Sequence, residues 1–192
     1  PNSNCYDLGC SLGASSLAIA QQVNQFNTLA QELLAFAKGS STLNLEELNF
    51  PDCIEDSLTS LHHNLEQQGM SLETDLQGEA LIHIDPSRFY RVYENLANNA
   101  IEAMSSGGTL TITSKVLDEH LIMTVSDTGH GMEAEVLSKV FDEFFTHKKH
   151  GGTGLGLAIV KSIVADHSGE IAVESILDQG TTFTIKLPIL NP

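Results

Sequence analysis

The sequence predicts an α+β fold: a two-layer sandwich in which helices cover one face of a mixed sheet, with a further helix ahead of it. Three observations predict it. Short strand-like segments recur from about residue 43 to the end, most of them joined as hairpins rather than through helical crossovers. Between them lie stretches whose apolar residues fall at helical spacing. Ahead of them, Ser15 to Lys38 carries one long helical stripe.

Residues 1–14 mix Pro, Asn, Ser, Gly and Cys without periodicity and form an irregular lead-in. In the next segment Ile19, Val23, Phe26, Ala30, Leu33 and Ala37 alternate steps of four and three, the spacing of a bundle seam, and Leu29 and Phe36 widen it. One such helix cannot bury its own face, so it needs a partner helix from this chain or a second copy. Gly39 to Thr42 stop it and act as a linker. The chain thus divides into 1–14, 15–42 and a domain over 43–192.

Within the domain, Leu43, Leu45 and Leu48 suggest a short strand. Pro51 opens a helix to about Gln68, with Ile54, Leu58, Leu61 and Leu65 on one face and Gly69 as its stop. Strands near Ser71–Leu76 and Ala80–Ile84 follow, with Gln77 and Gly78 as the turn between them. Asp85 and Pro86 form an N-cap and first-turn proline for a helix that reaches about Met104 and ends at Gly107 and Gly108. Thr109 to Val116 and His120 to Asp127 read as a hairpin, which delivers Asp127 to a strand end. A helix over 155–167 and a last hairpin across Asp178, Gln179 and Gly180 complete the chain.

At 192 residues and 41% hydrophobic content, the chain can bury one core and still carry an appendage. Its formal net charge of −16 argues against a nucleic-acid or anionic-membrane surface. Of nine Lys and Arg, only Lys38 precedes Arg88, so positive charge is local, at Arg88, Arg91, Lys148 and Lys149. A divalent cation has to supply the rest wherever a polyanion binds. Cys5, Cys10 and Cys53 are odd in number and lack zinc spacing, as expected of free thiols in a reducing cytosol. No run is long and apolar enough to span a bilayer, and no signal-peptide pattern appears. The expected location is cytoplasmic, and a longer parent protein could still be membrane-anchored.

The chemistry concentrates between Asp127 and Leu157, where two glycine clusters flank Lys148 and Lys149. Glycine lets backbone amides crowd an anion, and a helix starting just past Gly154 aims its positive end at that anion. This reads as a polyphosphate site. The Gly-Lys-Ser/Thr ending of a Walker loop is absent. Asn95 and Asn99 lie four apart on one helix, so both amides share a face; as neutral oxygen ligands they can complete a Mg²⁺ shell of phosphate and water.

Five ordered motifs then carry a resemblance: Asn95-Leu-Ala-Asn-Asn-Ala100, Asp127-Thr-Gly-His-Gly-Met132, Phe141-Asp-Glu-Phe-Phe-Thr-His-Lys148, Gly152-Thr-Gly-Leu-Gly-Leu157 and Gly180-Thr-Thr-Phe183. From about Leu43 to Leu190 the chain resembles the GHKL-type catalytic domain of sensor histidine kinases from two-component systems. The resemblance implies that ATP lies between sheet and helices, with Asp127 accepting the adenine amino group. Gly129 and Gly131 would give the base room, and Thr182 would lie near it. Asn99 would hold Mg²⁺, with Asn95 beside the metal and phosphates. Gly152, Thr153, Gly154, Leu155 and Gly156 would wrap the phosphates, Lys148 would neutralise the terminal one with Lys149 beside it, and 133–153 would form a lid. Asn95, Asn99 and Lys148 are the expected catalytic residues.

Where related gyrase, chaperone and mismatch-repair ATPases place a water-activating Glu, this sequence has Asn95. A neutral amide is no general base, so transfer to a protein acceptor is expected over hydrolysis. Glu94 is adjacent but about 100° away round the helix. Glu102 stands where many relatives carry a basic residue, and His130, His147 and His150 are loop histidines near the site. None of the eight histidines fits a phosphoacceptor, and 15–38 resembles the second helix of the dimerisation hairpin. The expected partners are therefore ATP, a response regulator receiver domain and a second copy through that helix. Two alternatives stay open: an anti-sigma-type serine kinase, which lacks a hairpin helix, and a degenerate nucleotide-binding interaction module.

Overall fold

A computed structural model of the chain describes residues 43–78, 80–105, 107–146 and 152–190. The expected seam helix, linker and lead-in, with Cys5 and Cys10, lie outside the described residues. Strand β1 (Glu46–Asn49) runs directly into helix α1 (Phe50–Gln67), which has Pro51 in its first turn. Ile54, Leu61 and Leu65 are buried, and Gly69 takes φ +71° to turn the chain after the helix. Strands β2 (Met70–Leu76) and β3 (Leu81–Ile84) precede helix α2 (Pro86–Ala103). Asp85 caps α2 by accepting from the N–H groups of Ser87 and Arg88. The same carboxylate accepts the N–H of Asn44 at 3.1 Å.

Strands β4 (Gly108–Leu117) and β5 (His120–Asp127) form a hairpin turned by Asp118 and Glu119, both at positive φ as a type I′ turn requires. A single-turn helix α3 (Ala134–Leu137), helix α4 (Gly156–Asp166) and the hairpin of β6 (Glu170–Ile176) with β7 (Gly180–Pro188) follow. The main sheet has the order β2-β4-β5-β7-β6, with only β2 and β4 parallel.

The turn expected between β2 and β3 is not a hairpin. β3 pairs with β1 in a separate two-stranded sheet, and β2 pairs in parallel with β4 after a crossover through β3 and α2. Gly78 sets this course. It takes φ +92°, and a Cβ there would lie 2.8 Å from the backbone N of Val116, so the chain leaves the sheet where no side chain fits.

Alternation then sorts the sheet into two faces. Leu110, Ile112, Leu121, Met123, Val125, Phe183, Ile185 and Leu187 are buried together with Leu65, Val92, Leu96, Ala100, Val160 and Val164 of the helices. The other face is polar: Ser71 bonds Thr109, Thr113 bonds Thr124, and Ser126 bonds Thr182. Among the described residues no helix is long and apolar enough to cross a membrane.

Candidate functional site

β5 ends at Asp127, which sits on the core face in register with Leu110 on one side and Thr181 on the other. The carboxylate is 6% exposed, and its Oδ1 accepts the Gly129 N–H at 2.8 Å. Burial pushes its pKa up. Hydrogen bonds from the Gly129 and Thr181 backbone and the nearby His130 offset this only in part. Beside it, the Ser175 hydroxyl donates to the Gly180 carbonyl, lies 3.0 Å from the Thr181 hydroxyl and accepts the Met132 N–H. The core face of the sheet thus changes from apolar to polar at this end.

The loop after Asp127 is wedged between α2 and the β6–β7 turn. A Cβ on Gly129 would lie 2.7 Å from the Ala103 backbone, and the next N–H, of His130, donates to the Ala103 carbonyl at 3.1 Å. Gly131, at φ +63°, passes the Ile176 carbonyl, and Gly180, at φ +114°, passes that of Asp127; a side chain on either would collide with the oxygen. These glycines are needed for backbone to pass backbone. The expectation that Gly129 and Gly131 leave room for a base gains a second, purely structural reason beside it.

At the other end of the site α2 presents Asn95 and Asn99, both half-buried, while Glu94 and Asn98, each one position earlier, are exposed. The Asn95 amide donates to the Arg91 carbonyl at 2.7 Å. The first residue of α4 packs here: a Cβ on Gly156 would lie 2.6 Å from Asn95 Oδ1. Leu155 is fully buried and offers no side-chain cap, although its own N–H donates to Thr153 Oγ1 at 3.2 Å. Gly154, at φ +71°, runs against the Phe144 backbone, while Phe141 is held edge-on to Phe183 with Lys161 over its ring.

Asn95, Asn99 and Ala103 are successive members of one i, i+4 stripe, all half-buried. Gly156 fixes one end of this stripe and Gly129 the other, so its eight residue steps span about 12 Å between the two glycine clusters, with Asn99 midway. One helix face joins the Asp127 loop to the α4 N-terminus.

Residues 84–191 match the model of the histidine kinase-, DNA gyrase B- and HSP90-like ATPase family. The chain belongs to that family. It is 36% identical over 174 residues to the sensor histidine kinase ZraS of Salmonella typhi, covering 90% of this chain and 37% of that protein. The solved catalytic domain of the histidine kinase ThkA matches with a TM-score of 0.69 at 29% identity, over 76% of this chain and 96% of that one. ThkA solved in complex with the response regulator protein TrrA matches with a TM-score of 0.74 at 26% identity, over 89% of this chain and 49% of that one.

Within this family's fold, the structure brings Asp127, Gly129 and Gly131 together at one end and Asn95, Gly154, Leu155 and Gly156 at the other, with Asn99 on α2 between them. Gly152 and Thr153 lead into the second group. Lys148 and Lys149, with His147 and His150, lie outside the described residues. Thr182 is a correction: it stands opposite Ser126 on the polar outer face, across the sheet from Asp127. The hydroxyl beside Asp127 belongs to Thr181, which is 6% exposed. Strand parity is the signal that finds it, because Thr181 is two residues before the core residue Phe183 and Thr182 only one. Ser175 was likewise missed, and follows from the register of β6 with β7.

Proposed function

We propose that this chain is the Mg-ATP-binding catalytic domain of a sensor histidine kinase, passing the γ-phosphoryl group to a histidine on a separate helical hairpin. The stripe Asn95-Asn99-Ala103, pinned at both ends by the two glycine clusters, carries the reading. In it, Asp127 accepts the adenine amino group, with Thr181 rather than Thr182 as its neighbouring hydroxyl. The α4 N-terminal amides at Leu155 and Gly156 and the loop Gly152-Thr153-Gly154 face the phosphates. Lys148 neutralises the terminal phosphate, with Lys149 alongside.

The donor set suits magnesium. Among the described residues no group of three or more His, Cys, Asp or Glu gathers to hold a metal. Asn99, with Asn95 beside it, instead offers neutral oxygen of the kind Mg²⁺ takes together with phosphate and water. When bound there, held by Asn99 with Asn95 beside it, the ion would supply positive charge to offset that of the phosphates. Asn95 holds its amide against Arg91 and cannot remove a proton from water, and the exposed Glu94 projects from another side of α2, so nothing among these groups activates hydrolysis.

ThkA was solved in complex with a response regulator protein, and the same partner class is proposed for this chain. Dimerisation through residues 15–38 and a cytoplasmic location complete the proposal. A serine kinase is the weaker reading, since relatives such as ZraS and RppB are sensor histidine kinases. The deciding experiment is incubation with radiolabelled Mg-ATP and a separately supplied acceptor hairpin. Acid-labile, base-stable label on the hairpin is expected and none on this chain; label on serine, or on neither, refutes the proposal.

A further inference from the structure

α2 and α4 run antiparallel and are fastened at two points. One is the approach of Gly156 to Asn95. The other joins the start of α2 to the end of α4 and is built on His167, which is 5% exposed. Its Nδ1 lies 2.7 Å from the Ile163 carbonyl of its own helix, and its Nε2 lies 2.9 Å from the Asp85 backbone N. A carbonyl only accepts and a backbone N–H only donates. Both contacts therefore hold together only for a neutral imidazole with its proton on Nδ1.

The charged groups around it are Asp85 and Arg88 from the α2 side and Asp166 from α4; Arg88 donates to Asp166 at 2.9 Å, and its Nε lies 3.9 Å from Asp85. The Phe89 ring meets the imidazole edge-on at 6.3 Å. His167 is about 15 Å along the helix pair from Gly156, so it touches no bound phosphate.

We infer that His167 is a positioning residue: by accepting the Asp85 N–H it fixes α4 against α2 and so holds the amides at the start of α4 beside Asn95. The inference rests on reading that cleft as the Mg-ATP site. The Asp127 end is carried by the sheet and does not depend on this bridge. Its loss loosens the grip on triphosphate and leaves the grip on the base alone.

The full 192-residue chain tests this, as wild type, His167→Asn and His167→Gln, by calorimetry with Mg-ATP and with adenosine, alongside imidazole ¹⁵N shifts of the wild type. The shifts should report a neutral Nδ1–H ring. Asn keeps the donor toward Ile163 but cannot reach Asp85, so Mg-ATP affinity should fall about tenfold with adenosine unchanged. Gln places an oxygen where Nε2 lies and should restore Mg-ATP affinity to within about threefold of wild type. Equal loss for both ligands, no loss in the Asn variant, or failure of Gln to restore affinity would overturn the inference. So would a ring protonated on Nε2, a result that stands even if a variant fails to fold. A wild-type chain binding neither ligand overturns the site reading and this inference with it.

Discussion

The two ends of the candidate site are built differently. Asp127 is held by a β-ladder on both sides, its loop threads between Ala103 and Ile176, and each glycine there is hemmed in by backbone. The opposite end rests on the packing of two helices that meet at Gly156 and Asn95 and are tied again at their far ends by His167 and by the Arg88–Asp166 ion pair. The first end is rigid because the fold requires it. The second depends on how one helix packs against another, which suits its proposed role of gripping and releasing a phosphate chain.

If so, substitutions at the sheet end act on stability and those at the helix end on binding. The largest effect is expected for Gly180→Ala, which puts a methyl group into the Asp127 carbonyl at φ +114°. It should cost roughly 3 kcal/mol or more, lowering the midpoint of a thermal melt by about 6–12 °C. A melt within a degree of wild type would break the contrast at its firm end.

Asn99→Ala comes next and sharpens the other side. Mg-dependent ATP affinity should fall about 100-fold or more, while stability stays within roughly 1 kcal/mol, since the residue is half-buried and helical. Calorimetry with and without magnesium measures the first, and denaturant titration the second.

Asp127→Asn separates the two effects in one residue. Its raised pKa means the folded state takes up a proton more readily than the unfolded chain. The buried charge therefore costs stability above the folded pKa, and that cost vanishes as pH falls below the unfolded value. The Asn variant should be at least as stable as wild type at neutral pH, the difference closing in acid, and should still bind nucleotide roughly 10-fold or more weakly. Melts across a pH series and nucleotide titration test both halves.

Asp85 has the opposite sign. Burial raises its pKa, but the Ser87 hydroxyl, the Asn44 and Arg88 N–H groups and the Arg88 charge together bring it below the usual carboxylate range. The stability it contributes is present above the unfolded value and lost as pH falls through the folded one. Asp85→Ala should cost about 1 kcal/mol as a lost helix cap at neutral pH, and less in acid. The smallest effect is expected for Thr182→Val, on the outer face, with nucleotide affinity unchanged; Thr181→Val should weaken it.

Much of this was legible from local chemistry. The Asp85-Pro86 cap, the Gly69 stop, the hairpin at Asp118 and Glu119 and the spacing of Asn95 with Asn99 each depend on residues a few positions apart. Two features were not. The parallel pairing of β2 with β4 joins segments separated by a whole crossover, and the Gln77-Gly78 turn signal pointed to the nearer strand instead. The choice between Thr181 and Thr182 needs strand register, and a slip of one residue exchanges the faces. Likewise the glycines read as space for a ligand, because a sequence does not show which backbone passes alongside.

The hydrogen bond from Asn44 to Asp85 gives the domain a handle. Any tug transmitted along the chain ahead of Leu43 arrives first at that carboxylate, which is also where α2 begins. A load entering there would meet the start of α2, the helix that carries Asn95 and Asn99, before it met β5, the strand that carries Asp127.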